Sequence, residues 1–253
     1  MLNENEKKKY NRQLMLDDFG LDGQEKLKQA RVLVAGAGGL GSPISIYLAA
    51  AGVGTIRIVD KDVVSLSNLN RQILYDKKDI GGKKSILAGN KLRRLNPDIK
   101  VEAIAETIDS SNVSRLAADF DIIMDATDNF QTRYLLNEAA LKIQIPFIYG
   151  GIYGMEGALT TIIRGQSACL KCIFPSSLPP LSSCQSPVLG ATAGIIGCLQ
   201  AMEAIKYLSH TGELLLDRLL IFDGLYMNFR KMKLNRNPEC PDCGRFIPRK
   251  VIN

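Results

Sequence analysis

The sequence predicts an α/β fold, a mostly parallel sheet with helices on both faces and an antiparallel C-terminal extension. Three observations point to it. Short apolar runs such as RVLVA, TIRIVD and DIIMD alternate with longer helical patterns, as strands do with crossover helices in a parallel sheet. A glycine cluster, GAGGLG, joins the first run to the first of these helical patterns. Beyond Tyr149 the texture changes to strand-like GALTTIIR, a Ser/Pro-rich stretch and one long apolar helix.

The elements follow in order. Residues 4–29 read as polar and helical, Arg31–Ala35 as a buried strand, and Gly36–Gly41 as a turn. Ser42–Ala51 is a helix of small apolar residues that Gly52–Gly54 stops, and Thr55–Asp60 is a second strand ending in an acid. Lys83–Leu95 is an amphipathic helix closed by Asn96-Pro97. Val101–Ile108 and Asp121–Asp125 are strands, Asn129–Lys142 a helix and Pro146–Tyr149 the next strand. In the second half, Gly157–Arg164 is a strand, Pro175–Pro187 a loop and Gly190–Leu208 a helix with Gly190, Gly194 and Gly197 suited to tight packing. Leu219–Asp223 and Asn228–Leu234 complete the strands. The expected organisation is a single domain over 1–253: an N-terminal helical segment (1–30), a nucleotide-binding half (31–150) and a second half (151–253).

Composition limits the function classes. The chain has 253 residues, 46% hydrophobic and 23% charged, with a net charge of +6, ordinary values for a globular protein. Much of the positive excess lies beyond Met227, with seven Lys/Arg against two Asp/Glu. This reads as a solvated basic surface, since no aromatic–basic interleaving supports nucleic-acid binding. The charged start MLNENEKKKYNRQ is no secretory signal, and the uncharged stretch Cys172–Met202 is too rich in Pro and Ser to span a membrane. A cytoplasmic location is expected, with free thiols rather than disulfides.

Four motifs carry chemistry. In Gly36-Ala37-Gly38-Gly39-Leu40-Gly41, glycines let backbone N–H groups approach a phosphate at a helix N-terminus. Asp60, 19 residues after Gly41, can accept from ribose hydroxyls. That Rossmann-like pattern by itself does not choose among NAD, FAD and ATP. The second motif, Ser67-Asn68-Leu69-Asn70-Arg71-Gln72 followed by Lys83-Lys84, supplies cations that a triphosphate needs and a hydride donor does not; a polar loop and a solvated helix start are the plain alternative. The third, Asp125-Ala126-Thr127-Asp128-Asn129, follows a buried strand. Asp128 there can hold Mg²⁺ against phosphates or cap the following helix.

The fourth motif is the most specific. Cys169-Leu-Lys-Cys172 and Cys240-Pro-Asp-Cys243 are two C-x-x-C hooks with 67 residues between them. Four thiolates make a closed tetrahedral zinc site, hence a structural one. Of the other cysteines, Cys198 lies in an apolar helix and is expected in the core. Cys184, in SSCQSP, is either a loop nucleophile or an incidental thiol. The sole histidine, His210 in SHTG, reads as a helix cap or a solvent-facing group, so a Ser–His or Cys–His dyad is not expected.

Taken together, the glycine turn, Asp60, the S-x-S-N-L-x-R-Q segment, the Lys84 region, D-A-T-D-N, the C-x-x-C pairs and LQAMEAIK resemble the ThiF/MoeB family, bacterial relatives of the ubiquitin-activating enzymes. The resemblance runs from about Tyr10 to Gly244. It implies that a ubiquitin-like sulfur-carrier protein ending in Gly-Gly is adenylated by ATP, with release of pyrophosphate, for sulfur transfer in thiamine or molybdenum-cofactor synthesis. It further implies that Gly36, Gly38, Gly39 and Gly41 surround the phosphates and that Asp60 holds the ribose. Asn68, Arg71, Gln72, Lys84 and Asn129 then border the nucleotide, and Asp128 binds Mg²⁺. Arg12, in YNRQ, matches a family arginine that crosses a homodimer interface, and Cys184 falls where some members carry a cysteine that can join the carrier. Asn70 departs from the family's usual Gln, and Thr192 stands near a common Pro. With no rhodanese-like segment in view, a separate sulfur donor is expected. The competing readings are an NAD(P)-dependent oxidoreductase and a non-catalytic scaffold that binds a ubiquitin-like protein.

Overall fold

The computed structural model describes residues 1–175 and 187–244. Eight strands form one sheet: β1 (Arg31–Ala35), β2 (Thr55–Val59), β3 (Lys100–Ile104), β4 (Ile122–Asp125), β5 (Phe147–Tyr153), β6 (Glu156–Ile162), β7 (Arg218–Asp223) and β8 (Asn228–Lys233). Their order is β3-β2-β1-β4-β5-β6-β7-β8. The pairs from β3 through β5 are parallel, with Val34 opposite Ile58 on one side and Met124 on the other. The pairs from β5 through β8 are antiparallel. The parallel half and the antiparallel extension are therefore as expected.

Side chains alternate between the two faces of this sheet, and each face is covered. Val32, Val34, Ile56, Ile58, Ile122, Met124 and Ile148 form one core with α3 (Gly20–Gln29), α4 (Gly41–Ala51), α5 (Lys84–Leu95) and α9 (Gly190–Ser209). Leu33, Ala35, Val59, Ile123, Phe147 and Tyr149 form the other with α6 (Val113–Ala117), α7 (Phe130–Ile143) and α8 (Leu170–Ile173). Central strands buried on both sides explain why RVLVA and DIIMD are continuous apolar runs rather than alternating ones.

Several boundaries differ from the sequence reading for definable reasons. The polar segment 4–29 is three helices, α1 (Glu4–Lys9), α2 (Asn11–Leu14) and α3, broken at Tyr10 and over Met15–Phe19. β3 stops at Ile104 because its partner β2 ends at Val59. β5 runs on to Tyr153 because it turns at Gly154, φ +59°, into a hairpin with β6. The short helices α6 and α8 escaped a periodicity argument, since one turn has no measurable period. His210 is the left-handed C-cap of α9 (φ 60°) and is exposed, in line with expectation. Cys198 is half-buried.

Candidate functional site

The strand order reverses between β1 and β4, because the chain leaves β1 for β2 and β3 on one side and returns to β4 on the other. Ligands of open α/β sheets bind beyond the carboxyl ends of strands at this switch point. The two segments leaving those ends lie against each other. Gly36 has φ +106°, and a Cβ there would sit 2.4 Å from Ala126 O. A Cβ at Gly41 would sit 2.1 Å from Gly36 O. These two glycines make the turn possible. Gly38 and Gly39 are different: a Cβ would meet its nearest atoms at 3.6 Å (Gln72 Nε2) and 3.3 Å (Ala193 Cβ).

Asp60, Arg71, Gln72 and, through Tyr75, the start of α5 lie against this turn. Asp60, just past β2, accepts hydrogen bonds through Oδ2 from Ala37 N and through Oδ1 from Asp62 N, both at 2.8 Å. The aliphatic stem of Arg71 lies beside Gly39, while its guanidinium donates to Ser67 O (2.8 Å) and Asn70 Oδ1 (3.1 Å). Asn68 is buried and accepts from Ser65 N (3.1 Å), closing a 3₁₀ turn. Gln72 is buried next to Gly38, and its Oε1 has no hydrogen-bond partner among the described residues. Lys84 opens α5, is buried, and pairs with Asp62 Oδ2 at 3.1 Å. Of two further anchors, Tyr75 was not visible in the sequence, and Gly190, read there as suited to tight packing, now has its partner. The Tyr75 hydroxyl donates to Ala37 O (2.8 Å) or Lys84 O (3.1 Å), bringing the glycine turn and the start of α5 to one group. Gly190, at the start of α9, would place a Cβ 2.3 Å from Asn70 O, so only glycine lets α9 approach the Arg71 segment this closely.

Beyond β4, Asp128 is not the cap of the following helix. Asn129 caps α7, accepting from Thr132 N at 2.8 Å. Asp128 is exposed, and its carboxylate accepts from Asn129 Nδ2 at 3.4 Å. An exposed carboxylate is the kind of group that Mg²⁺ takes, one or two of them together with phosphate oxygens. Below it lies the wholly buried Asp125, its Oδ2 3.0 Å from Arg133 Nε. Burial pushes the Asp125 carboxyl up and the Arg133 charge pulls against it.

Arg12 does not join these groups within the chain. It is exposed on α2 beside Gln13, whose Nε2 donates to Ala51 O (3.1 Å) at the far end of α4 from the glycine turn. An 11-residue helix separates its ends by about 16 Å. Cys184 lies outside the described residues.

The four cysteines of the C-x-x-C hooks do come together. Their sulfurs all lie within 4.8 Å of one another, with Cys169–Cys240 at 3.5 Å and Cys172–Cys243 at 3.4 Å. A tetrahedron with Zn–S of 2.3 Å needs sulfurs about 3.8 Å apart, so the donor set fits zinc. Burial pushes the Cys169 thiol up and Cys243 up to about 11. Cys240 moves down, because burial, which raises it, is outweighed chiefly by backbone N–H donors at Cys243 and Asp242. A bound dication favours all four thiolates. Around the cluster, Asp242 receives Lys171 Nζ (2.7 Å) and Asn137 Nδ2 (3.3 Å), and Asn137 Oδ1 accepts from Leu170 N (3.0 Å). These bonds tie the C-terminal hook to α7 and α8.

The fold and these groups define an α/β protein with a glycine turn at the switch point of its sheet, bordered by the segments of Arg71 and Lys84, and a four-cysteine cluster on one sheet face. The chain belongs to the ThiF family, whose model matches residues 10–242. It is 42% identical over 244 residues to the sulfur carrier protein adenylyltransferase of Thermus thermophilus, covering 93% of this chain and 90% of that protein. It is 44% identical over 239 residues to the SAMP-activating enzyme E1 of Haloferax volcanii, covering 93% and 88%. It is also 44% identical over 241 residues to the adenylyltransferase and sulfurtransferase MOCS3-1 of Zea mays. That match covers 93% of this chain but 51% of the maize protein, so the chain spans about half the length of this relative. Among solved structures, E. coli MccB with ATP has the same fold, with a TM-score of 0.81 at 24% identity over 96% of this chain and 75% of that one. PaaA has a TM-score of 0.79 at 26% identity, covering 92% and 75%. The oxidoreductase reading draws no support from these relatives, whose names are those of adenylyltransferases and an activating enzyme. No helix among the described residues is long and apolar enough to cross a membrane.

Proposed function

We propose that this chain adenylates the C-terminal Gly-Gly carboxylate of a ubiquitin-like sulfur-carrier protein. The observation that carries the reading is that the Arg71 stem lies beside Gly39 and that the Tyr75 hydroxyl joins Ala37 of the glycine turn to the backbone of Lys84, so that both cationic residues belong to segments packed on the turn. A redox dinucleotide has no use for this concentration of cations; ATP has. The carrier's carboxylate oxygen bonds to the α-phosphorus, the bond to the β-phosphate bridging oxygen breaks, and pyrophosphate leaves. Gly36–Gly41 receives the phosphates, Asp60 the ribose, and Asn68, Gln72 and Asn129 border the nucleotide. Arg71 and Lys84 neutralise charge that builds on the departing pyrophosphate, and Asp128 would hold Mg²⁺, which would supply further positive charge there. The carboxylate is a weak nucleophile, so positioning and electrostatic stabilisation supply most of the rate.

The separation between Arg12 and the glycine turn favours action in trans: in a homodimer, Arg12 of one subunit completes the other's site. Residues 151–253 form the carrier-binding half, with zinc on Cys169, Cys172, Cys240 and Cys243 fixing the tail to it. Sulfur then reaches the carrier from a separate donor of the cysteine desulfurase or rhodanese type, with Cys184 a candidate for a covalent link to the carrier. The working compartment in this reading is the cytoplasm. The test is ATP–pyrophosphate exchange with purified thiamine-type and molybdopterin-type carriers. Exchange that requires one carrier and its Gly-Gly end supports the reading; exchange with neither, together with tight NADH binding, sinks it.

A further inference from the structure

Asp125, wholly buried, and Arg133, buried but for its edge, form an ion pair that no step above uses. Such a pair is weak ground for stability, because well-packed apolar residues of similar volume often serve as well or better. What this pair touches points elsewhere. Asp125 Oδ1 accepts from both Thr127 N (3.0 Å) and Thr127 Oγ1 (2.7 Å). Arg133 Nη2 donates to Thr127 O (2.8 Å) and to Gly150 O on β5 (3.1 Å). The backbone N–H and C=O of Thr127 and its hydroxyl are thus all held by the two members of one pair. From α9, Gln200 Nε2 donates to Asp125 O (2.7 Å) and fixes the end of β4. On the other side of Asp128, Asn129 is fixed as the cap of α7. The residue between these two anchors, Asp128, is exposed, two residues beyond Ala126, whose carbonyl packs against Gly36 of the glycine turn.

We infer that Arg133, acting through Asp125 and Thr127, is a positioning residue that sets where the Asp128 carboxylate stands, and so tunes how strongly the site takes the metal of Mg·ATP. This rests on the reading of Asp128 as the metal-binding group. Arg133 touches no reacting atom. Nη2 makes both hydrogen bonds, to Thr127 O and Gly150 O, while Nε faces Asp125 Oδ2 as an ion-pair contact, and this division of roles over a planar guanidinium is one that the point charge of lysine cannot reproduce.

The test is calorimetric binding of ATP to the full chain, once with excess Mg²⁺ and once in EDTA, with melting curves on each variant. The ratio of the two affinities isolates the contribution of the metal. Arg133→Lys, and the paired apolar replacement Asp125→Leu with Arg133→Met, are expected to melt cooperatively and to bind metal-free ATP like the wild type. Each loses roughly tenfold or more of the Mg²⁺-dependent gain, the usual scale when a group supporting a metal ligand is removed. Adding Arg133→Lys to Asp128→Ala produces no further loss, because both act through one carboxylate. If Asp128→Ala abolishes the gain while both Arg133 variants retain it, this inference alone falls. It falls too if those variants lose both affinities in equal proportion, as mere unfolding would cause. If Asp128→Ala leaves the gain intact, the reading of the site falls and takes this inference with it.

Discussion

Lys84 Nζ lies 3.1 Å from Asp62 Oδ2, and the lysine is buried while the aspartate is about half exposed. The buried lysine thus has its charge met by a carboxylate that still faces solvent. Lys84→Met keeps the stem and removes the charge. It is expected to lower exchange by roughly 10²–10³-fold, the scale of losing one preorganised electrostatic stabiliser. Melting temperature should change little, because methionine fills the buried volume of the lysine stem and the Asp62 carboxylate left behind is about half exposed and stays hydrated. A Lys84→Met enzyme with near wild-type exchange would remove this residue from the mechanism.

The glycines of the turn are not equivalent. Gly41→Ala forces a Cβ to within 2.1 Å of Gly36 O. It should destabilise the fold by at least the ~1–3 kcal/mol of overpacking, read as a lower denaturant midpoint. Gly38→Ala meets Gln72 Nε2 at 3.6 Å. It should fold normally and weaken nucleotide binding, because the added methyl crowds the surface offered to phosphate. Equal stability of the two variants contradicts this division.

Zinc is expected at one per chain, measured by elemental analysis. Chelation, or Cys240→Ser, should expose residues 234–244 to protease and lower the melting temperature. The glycine-turn half should retain metal-free ATP binding, because the cysteines pack in the core on the other side of the sheet from α4 and α5. A zinc-free protein of unchanged stability would make the sulfur cluster an accident of packing.

If Arg12 serves the neighbouring subunit, inactive Arg12→Ala and Asp128→Ala proteins should complement each other. Random subunit exchange leaves half of the dimers mixed, each with one intact site, so about a quarter of wild-type exchange activity should return on mixing. Mixing that restores nothing, with heterodimers verified by native mass spectrometry, places Arg12 in its own subunit's site or outside the reaction.

The sequence by itself determined the parallel half of the sheet, because continuous apolar runs between helical patterns have no other stable arrangement. It also determined the two chemical centres, since a glycine turn followed by an acid, and paired C-x-x-C hooks, are local spacings with a direct physical meaning. The roles of single residues were less legible. Asp128 and Asn129 are both good caps in isolation, and only the path of the chain into α7 made Asn129 the cap and left Asp128 open. Tyr75, Asp62, Gln200 and Arg133 carry no local signal. Their partners lie between 9 and 75 residues away for Tyr75 and Gln200, and the ion pairs of Asp62 and Arg133 form by packing of a loop or helix against a strand end. Spacing reveals groups that act together along the chain. Groups that meet because a sheet stacks its strand ends side by side are decided by the tertiary structure, where burial makes every unpaired polar atom costly and so selects who faces whom.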